Sequence, residues 1–267
     1  MKNRLTITLS TSILNQVDHL IDKKTIRNRS HAIEYLITKS LESNIQTAVI
    51  LAGEKDDRPL RALTQINDKM LVQHTLELLA KYNVKNVFIA TNSQGKAIEK
   101  IIGSGQKWGL NITYVYEDKP LGTAGAINNL KKKINNKPFF VIAGDTLTEI
   151  NLTDMAEFHN QYKGVATMAV KPRPTKSTYD NVFMQGNKVV DFQASTNEQS
   201  VSLVNAGIYI FEPEIFSFIP NKLPSMLEQD VFPKVCQQKK LFAFTFQGIW
   251  FDISSDKNYL GLYKSSI

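Results

Sequence analysis

The sequence has a single cysteine, Cys236, in 267 residues, which excludes an internal disulfide framework. No apolar run is long enough to cross a bilayer, and no charged and then apolar leader precedes the first predicted strand. The histidines (His19, His31, His74 and His159) show no metal-ligand spacing. These absences predict a reduced, cytoplasmic protein that does not contact a membrane.

The net charge indicates which classes of ligand suit the chain, and the length indicates how many domains it contains. Its 32 Lys and Arg against 25 Asp and Glu give a net charge of +7, which suits phosphorylated ligands or nucleic acid and proves neither. The densest basic run, Lys131–Lys133, follows a helical pattern and is interpreted as a solvated helix end. The length allows one small module, residues 1–44, and one ordinary domain, residues 45–267.

The N-terminal segment reads as one alternating strand followed by helices over Thr11–Lys23 and Arg29–Glu42. One strand and two short helices bury too little surface to be stable alone, and the strand needs an edge partner. Pairing with a second copy meets both needs and predicts a homodimer or a higher homo-oligomer. Successive strand residues point to opposite faces, Leu5, Ile7 and Leu9 to one and Arg4, Thr6 and Thr8 to the other.

This segment, over roughly Lys2–Leu41, resembles the ribbon-helix-helix DNA-binding family. The resemblance implies that the outward strand residues read base edges in the major groove of double-stranded DNA. It also implies that the N-terminus of the second helix holds a DNA phosphate. A module that only dimerises is the alternative. The implied DNA-binding residues are Arg4, Thr6, Thr8, Asn28, Arg29 and Ser30.

From Thr47 onward, strand patterns alternate with helical patterns. This order predicts an α/β domain with right-handed crossovers and a mostly parallel sheet, whose ligands bind beyond the carboxyl ends of the strands. The predicted strands are Thr47–Ala52, Asn86–Thr91, Asn111–Tyr116 and Phe139–Ala143, and the predicted helices are Leu71–Tyr82, Gln94–Ile102 and Ala124–Lys133.

Distinctive segments follow the first, third and fourth of these strands, namely Gly53–Thr64, Glu117–Ala126 and Gly144–Leu147. Two more, Asn205–Tyr209 and Trp250–Ile253, lie further along the chain. Their order and spacing resemble the sugar-1-phosphate nucleotidyltransferases, especially the mannose-1-phosphate guanylyltransferase-like branch, from about Thr47 to Tyr263. The resemblance implies a Rossmann-like nucleotidyltransferase domain. It also implies an enzyme that makes an NDP-sugar and pyrophosphate from a nucleoside triphosphate and a sugar-1-phosphate.

The same resemblance implies roles for individual residues. Asp145 and Asp252 match the family's metal ligands, and oxygen ligands suit Mg²⁺. Lys69 and Arg58 would neutralise phosphate charge, with Arg61 as the alternative to Arg58. The other implied contacts are Ala52, Gly53, Gly122 and Thr123 to the nucleotide, and Asn205, Gly207 and Glu228 to the sugar. Trp250 is interpreted as a packing residue.

The chain departs from the family pattern in its first loop, where Glu54, Asp56 and Asp57 replace a glycine-rich phosphate cradle. A family Glu-Lys-Pro is also missing, with Lys171 and Arg173 as candidate replacements for its lysine. Two interpretations follow. The chain is a working sugar-nucleotide synthase, or it is a degenerate transferase that senses a sugar nucleotide and regulates transcription through the ribbon. The base and the sugar stay open.

Overall fold

The structure, a computed structural model, describes residues 6–41, 45–54, 59–174, 181–193 and 201–253. The chain divides into two compact units, Met1–Glu42 and Ser43–Ile267, and this boundary lies close to the predicted one after residue 44. Among the described residues, no helix combines the length and the apolar character that crossing a membrane requires.

The N-terminal unit contains helices α1 (Thr11–His19) and α2 (Arg29–Leu41). Ser10 caps α1, because its Oγ accepts a hydrogen bond from the Ile13 backbone N–H at 3.4 Å. Val17 and Ala32 are buried in this unit. The predicted helices are therefore present, although α1 ends four residues before the predicted Lys23.

The predicted strand over Arg4–Ser10 is not formed in its described part, since Thr6–Ser10 has no regular secondary structure. Arg4 lies outside the described residues. The physical reason is that a strand needs a neighbouring strand to take up its backbone N–H and C=O groups, and a single chain provides none for this segment.

The larger unit is built from the following elements. Its helices are α3 (Leu71–Lys81), α4 (Lys96–Ile102), α5 (Gly122–Asn129), α6 (Leu152–Tyr162) and α7 (Phe232–Gln237). Its strands are β1 (Thr47–Leu51), β2 (Gln65–Ile66), β3 (Lys69–Met70), β4 (Asn86–Asn92), β5 (Asn111–Glu117), β6 (Phe139–Ala143), β7 (Thr146–Thr148), β8 (Ala166–Pro174), β9 (Asn181–Gln185), β10 (Lys188–Gln193), β11 (Val201–Phe211), β12 (Leu241–Thr245) and β13 (Trp250–Asp252).

Among the described residues, nine strands form one sheet in the order β5-β4-β1-β6-β11-β8-β12-β10-β9. The first four are parallel to one another, but β11 runs antiparallel to both β6 and β8, and β10 runs antiparallel to β9 and β12. The prediction of a mostly parallel sheet is therefore wrong, because the sheet is mixed. The second half of β11, Ile208–Phe211, is apolar and buried, and such a run does not indicate in the sequence which way the strand points.

The core lies on both faces of this sheet, since neighbouring residues of one strand belong to different buried clusters. Ile50 and Ile142 face the layer that holds Leu76 of α3. Val49 and Val141 face the layer that holds Ile127 of α5. The resulting three layers bring the carboxyl ends of β1 and β6 side by side, with Leu51 paired to Ala143.

Two short features lie next to these ends. Strand β13 pairs with β7 in a separate two-stranded sheet, which places Asp252 opposite Thr146. The pairing of β11 with β8 shifts register between Asn205 and Tyr209. Gly207 occupies this bulge at φ +70°, and a Cβ there would lie 3.0 Å from the Ala143 Cβ. The bulge therefore lets β11 approach the end of β6 closely.

Candidate functional site

Two cavities open at the carboxyl ends of β1, β4 and β6. The Asp145 cavity has a volume of about 340 Å³ and is lined by Leu51, Ala52, Gly53, Glu54, Arg61, Ala62, Thr123, Ala143, Gly144 and Asp145. The Glu117 cavity has a volume of about 570 Å³ and includes Ala90, Asn92, Glu117, Pro120, Gly122, Lys222 and Gln229 in its lining. Gly53, Glu54 and Thr123 line both, so the cavities adjoin.

Arg61 joins two carboxylates in the wall of the Asp145 cavity. Its Nη1 donates to Asp145 Oδ2 at 2.6 Å, and its Nη2 lies 3.0 Å from Glu54 Oε2. Sequence reasoning left Arg58 and Arg61 as alternatives. Arg58 lies outside the described residues, and Arg61 is the arginine that the structure places at Asp145.

Burial dominates the electrostatics of Asp145. It raises the pKa of this carboxyl above the ordinary aspartate value, the Arg61 charge opposes the rise, and the nearby Glu54 charge adds to it. The Asp145 side chain is partly buried, and Arg61 is shared between it and Glu54, so the two carboxylates together carry more negative charge than this arginine neutralises. This is the electrostatic condition for a cation or a cation-bound ligand in the cavity.

Backbone pairing brings Asp252 beside Asp145. The N–H of Ile253 donates to the Asp145 carbonyl at 2.9 Å, and Asp252 is the partner of Thr146 across β13 and β7. Asp145 lies in the turn between β6 and β7, and Asp252 ends β13 without lining either cavity. Two carboxylates on adjoining backbone segments supply oxygen ligands of the kind that fit a hard divalent cation. Among the described residues, no group of three or more His, Cys, Asp or Glu side chains could hold a metal ion, so phosphate and water would supply the other ligands.

Gly53 lines both cavities, and its neighbour Ala52 lines the Asp145 cavity. A Cβ on Gly53 would meet nothing closer than 3.7 Å, so the protein itself does not require glycine there. The neighbouring Ala52 is fixed by its backbone, because its N–H donates to the Ala90 carbonyl at 2.8 Å. The open side of Gly53 therefore offers close approach to a ligand.

Gly122 has a structural reason for being glycine. Its φ is +78°, and a Cβ would lie 2.3 Å from the Ser225 carbonyl oxygen. The sequence predicted that glycine lets a base approach at this position. Gly122 does line the Glu117 cavity, but the steric requirement comes from the Ser225 backbone, which lies between Pro224 and Met226 in the opposite wall.

Glu117 is a cavity residue that the sequence reasoning missed. It ends β5, and its carboxylate accepts a hydrogen bond from the Leu121 N–H at 3.2 Å. Burial raises its pKa, and this backbone hydrogen bond opposes the rise. The signal was its position directly after a strand and before Pro120, Leu121 and Gly122.

A hydrogen-bonded chain connects the predicted sugar residues. The Asn205 Nδ2 donates to the Tyr209 hydroxyl at 2.7 Å, and its Oδ1 accepts the Gly207 N–H at 3.0 Å. Burial raises the pKa of Tyr209 well above its usual range, and the charge of Glu228, to which its hydroxyl is hydrogen-bonded, adds to the rise. Thr123 extends the chain, because its hydroxyl donates to Glu228 at 3.5 Å. Tyr209 was also missed by the sequence reasoning, since it reads as a core aromatic.

The structure does not place Lys69 in either cavity lining. Lys69 lies on β3, and its Nζ is 2.9 Å from Glu77 Oε1, with both side chains partly exposed. Its predicted contact with phosphate stays a prediction.

The two candidate replacements for the missing family lysine lie beside β13. Lys171 Nζ donates to the Gly248 carbonyl at 2.8 Å and lies 4.6 Å from the centre of the Phe246 ring. Arg173 donates to the Trp250 carbonyl at 2.8 Å and stacks on the Trp250 ring at 4.9 Å. Burial lowers the pKa of Lys171, and the Arg173 charge lowers it further. Two cations are thus held close together.

Trp250 packs as predicted. It is buried, and its indole N–H donates to the Ala206 carbonyl at 2.9 Å.

The residues of the N-terminal unit that are predicted to contact DNA differ in their hydrogen-bond and ion-pair partners. Asn28 caps α2, because its Oδ1 accepts the His31 N–H at 2.9 Å, and Ser30 is exposed in the first turn. Arg29 is paired with Asp18 at 2.7 Å. Thr6 and Thr8 are exposed. This geometry leaves the helix cap accessible, and DNA binding stays a prediction.

Comparison with known proteins gives consistent results. The profile of the nucleotidyl transferase family, described as "Nucleotidyl transferase", matches residues 55–264. Mannose-1-phosphate guanyltransferase 2 of Candida glabrata is 31% identical over 78% of this chain and 60% of its own length. The mannose-1-phosphate guanylyltransferase catalytic subunit beta of Danio rerio is 30% identical over 80% of this chain and 62% of its own length. The chain therefore spans about three fifths of these curated relatives.

Solved structures with more distant sequences share the fold. HddC from Yersinia pseudotuberculosis superposes with a TM-score of 0.72 at 21% identity, covering 83% of this chain and 99% of that chain. A UDP-glucose pyrophosphorylase gives a TM-score of 0.69 at 20% identity, covering 83% of this chain and 99% of that chain.

Proposed function

Because the matched region covers well over half of its length, the chain belongs to the nucleotidyl transferase family, and we propose that it transfers a guanylyl group to mannose-1-phosphate. Membership of the nucleotidyl transferase family is confirmed for the larger unit, and the ribbon-helix-helix assignment of the N-terminal unit stays a prediction. The reaction joins GTP and mannose-1-phosphate into GDP-mannose and releases pyrophosphate. The relatives support these two substrates, because several mannose-1-phosphate guanyltransferases match more than three quarters of this chain.

The observation that carries the proposal is the ion pair of Arg61 with Asp145 at the carboxyl edge of the sheet, where the pairing of β13 with β7 brings the backbone of Asp252 close to Asp145. In nucleotidyl transfer, a phosphate oxygen of the sugar phosphate attacks the α-phosphorus as the bond to pyrophosphate breaks. Anionic groups approach one another, so positioning and charge neutralisation account for most of the catalysis. Arg61 would bind phosphate oxygens through its guanidinium. Asp145 and Asp252 would hold Mg²⁺, which supplies positive charge to the triphosphate when bound.

Glu117 supports guanine as the base. The Watson–Crick edge of guanine presents two adjacent donors, N1–H and the 2-amino group, which one carboxylate accepts together. Uracil and thymine present one donor between two acceptors, and their carbonyls would face the carboxylate unfavourably. The remaining lone pairs of Glu117 and its partly buried position at the Glu117 cavity match this recognition.

We place the sugar at the hydrogen-bonded side chains of Asn205, Tyr209 and Glu228. Tyr209 and Thr123 orient the Glu228 carboxylate, which then accepts sugar hydroxyls. Lys171 and Arg173 are our proposal for the sugar phosphate, because two like charges held together favour an anion. The retained Arg61 and aspartate arrangement favours transfer over the alternative of a degenerate, ligand-sensing regulator.

The test is pyrophosphate release with mannose-1-phosphate and each of GTP, ATP, UTP and dTTP. We expect Mg²⁺-dependent release with GTP and much slower release with the others. Absence of turnover with GTP would refute the proposal.

The Glu117→Gln variant tests the base assignment. We expect it to reduce the preference for GTP by about tenfold to a hundredfold, because a bidentate pair with a base edge contributes about 1–3 kcal/mol of discrimination. Asp118→Asn is the matched control, since Asp118 is the exposed neighbour.

We further propose that the N-terminal unit pairs with a second copy. Most of the large apolar side chains that the described residues expose lie in this unit, namely Ile7, Ile13, Leu20, Tyr35, Leu36 and Ile37. A small unit with this much exposed apolar surface is stabilised by covering it. Deleting Met1–Ser43 should lower the oligomeric mass measured by light scattering, and an unchanged mass would contradict the pairing.

A further inference from the structure

Glu54 contacts Arg61 at two points. Its Oε2 lies 3.0 Å from Arg61 Nη2, and its Oε1 accepts the Arg61 backbone N–H at 3.4 Å. Its own backbone is also fixed, because its carbonyl accepts a hydrogen bond from Asn92 Nδ2 at 3.3 Å. The Glu54 side chain is 10% exposed, which is little for a carboxylate in a surface loop. Glu54 therefore connects the end of β1, through Arg61, to the turn over Arg61–Leu63.

We propose that Glu54 is a positioning residue, which holds the Arg61 guanidinium at the wall of the Asp145 cavity so that it faces the nucleotide phosphates. This inference rests on the proposed function, since it assigns the nucleotide phosphates to the Asp145 cavity. In the sequence, Glu54 is one of the acidic residues that replace a glycine-rich phosphate cradle. In the structure its carboxylate is paired with Arg61, which also pairs with Asp145.

The geometry of the guanidinium shows what Glu54 contributes. A guanidinium has five N–H donors in one plane. Glu54 takes a donor on Nη2, and Asp145 takes one on Nη1. If Asp145 held a cation, the Arg61 Nη1 would be available to a phosphate oxygen, and Glu54 would still hold the Nη2 and the backbone N–H of Arg61. Without Glu54, Asp145 is the other carboxylate that the described residues place on Arg61, and Arg61 would compete with a cation for it.

A direct role for Glu54 is the competing explanation. As a cation ligand or as a charge that repels phosphates, Glu54 would act on the ligand itself and its effect would not need Arg61. As a positioning residue, it acts through Arg61 alone. A double-mutant cycle separates these cases, because coupled residues give non-additive effects and independent ones add.

The experiment measures binding of inorganic pyrophosphate in the presence of Mg²⁺ by titration calorimetry, using the full chain. The variants are Glu54→Ala, Arg61→Ala and the double variant, with thermal unfolding as the check on folding. We expect Glu54→Ala to weaken pyrophosphate binding about tenfold, and to have less than about a twofold further effect in the Arg61→Ala background. Glu54→Gln keeps the shape and an oxygen acceptor, so it should lie between Glu54→Ala and the unchanged protein.

Steady-state kinetics provide a second measurement. Glu54→Ala should lower kcat by about tenfold to a hundredfold, since a small misplacement of a positioned group has effects of this size, and leave the KM for mannose-1-phosphate unchanged. The matched control is the Glu214 and Lys240 ion pair, 2.7 Å apart on residues that line neither cavity. Neither Glu214→Ala nor Lys240→Ala should affect pyrophosphate binding.

Each other outcome has a definite meaning. Equal effects of Glu54→Ala in both backgrounds, tighter pyrophosphate binding by Glu54→Ala, or no pyrophosphate binding by the unchanged protein would overturn the inference. Non-additive pyrophosphate binding without turnover of GTP would instead overturn the proposed function and leave the role of Glu54 in place.

Discussion

Replacing Gly122 by alanine tests the reasoning about the Glu117 cavity in two steps. The first step is backbone strain, because a φ of +78° in an L-residue costs roughly 1–2 kcal/mol. The second is a clash, since the new Cβ would lie 2.3 Å from the Ser225 carbonyl oxygen and 3.0 Å from the Met226 Sδ. Overpacking of this kind costs roughly 1–3 kcal/mol. We therefore expect Gly122→Ala to lower the free energy of unfolding by about 2–5 kcal/mol.

Gly109→Ala is the matched control. Gly109 has a left-handed backbone with φ +68° and ψ +27°, but a Cβ there would have nothing within 4 Å. It should therefore show the backbone strain without the clash. The assay is urea unfolding followed by the fluorescence of Trp108 and Trp250. Equal losses of unfolding free energy for both variants would refute the argument that Ser225 requires glycine at position 122.

Two further substitutions and one chemical modification test the cavity residues and the burial of the cysteine. Gly53→Ala should leave the urea midpoint unchanged, because its Cβ has room, yet raise the KM for GTP at least severalfold, which initial rates will show. Asp145→Asn should reduce Mg²⁺-dependent pyrophosphate release by at least about a hundredfold, because it removes the charge of a proposed cation ligand. The circular dichroism spectrum should be unchanged, and retained activity would exclude Asp145 from that role. Burial raises the pKa of the Cys236 thiol to about 11, so its alkylation by iodoacetamide at pH 8 should be much slower than that of an exposed thiol and accelerate as the pH rises toward 11. Rapid alkylation at pH 8 in the folded protein would contradict this burial.

Local patterns in the sequence predicted the elements around the site well. Apolar runs located β1 and β6, and the residues after them, Gly53 and Asp145, line the Asp145 cavity. Such patterns work because a buried strand must be apolar and its end must carry the chemistry. These patterns do not indicate the direction of a strand, so they did not predict that β11 runs antiparallel to β6 and β8.

Contacts between distant residues could not be predicted. The choice of Arg61 at Asp145, and the pairing of Lys69 with Glu77, depend on how a loop and a hairpin fold back onto the sheet. The same holds for Gly122, whose requirement comes from Ser225, far along the chain. Residues 6–10 give a further example. Their alternating pattern is typical of a strand, but no strand forms there because the described chain provides no neighbouring strand for pairing.

The three-residue strand β13 has a consequence for biosynthesis. Asp145 is synthesised before Asp252, and Asp252 reaches its place opposite Thr146 only when β13 pairs with β7. A chain released before residue 252 would therefore carry one of the two carboxylates proposed to hold the cation and lack the other.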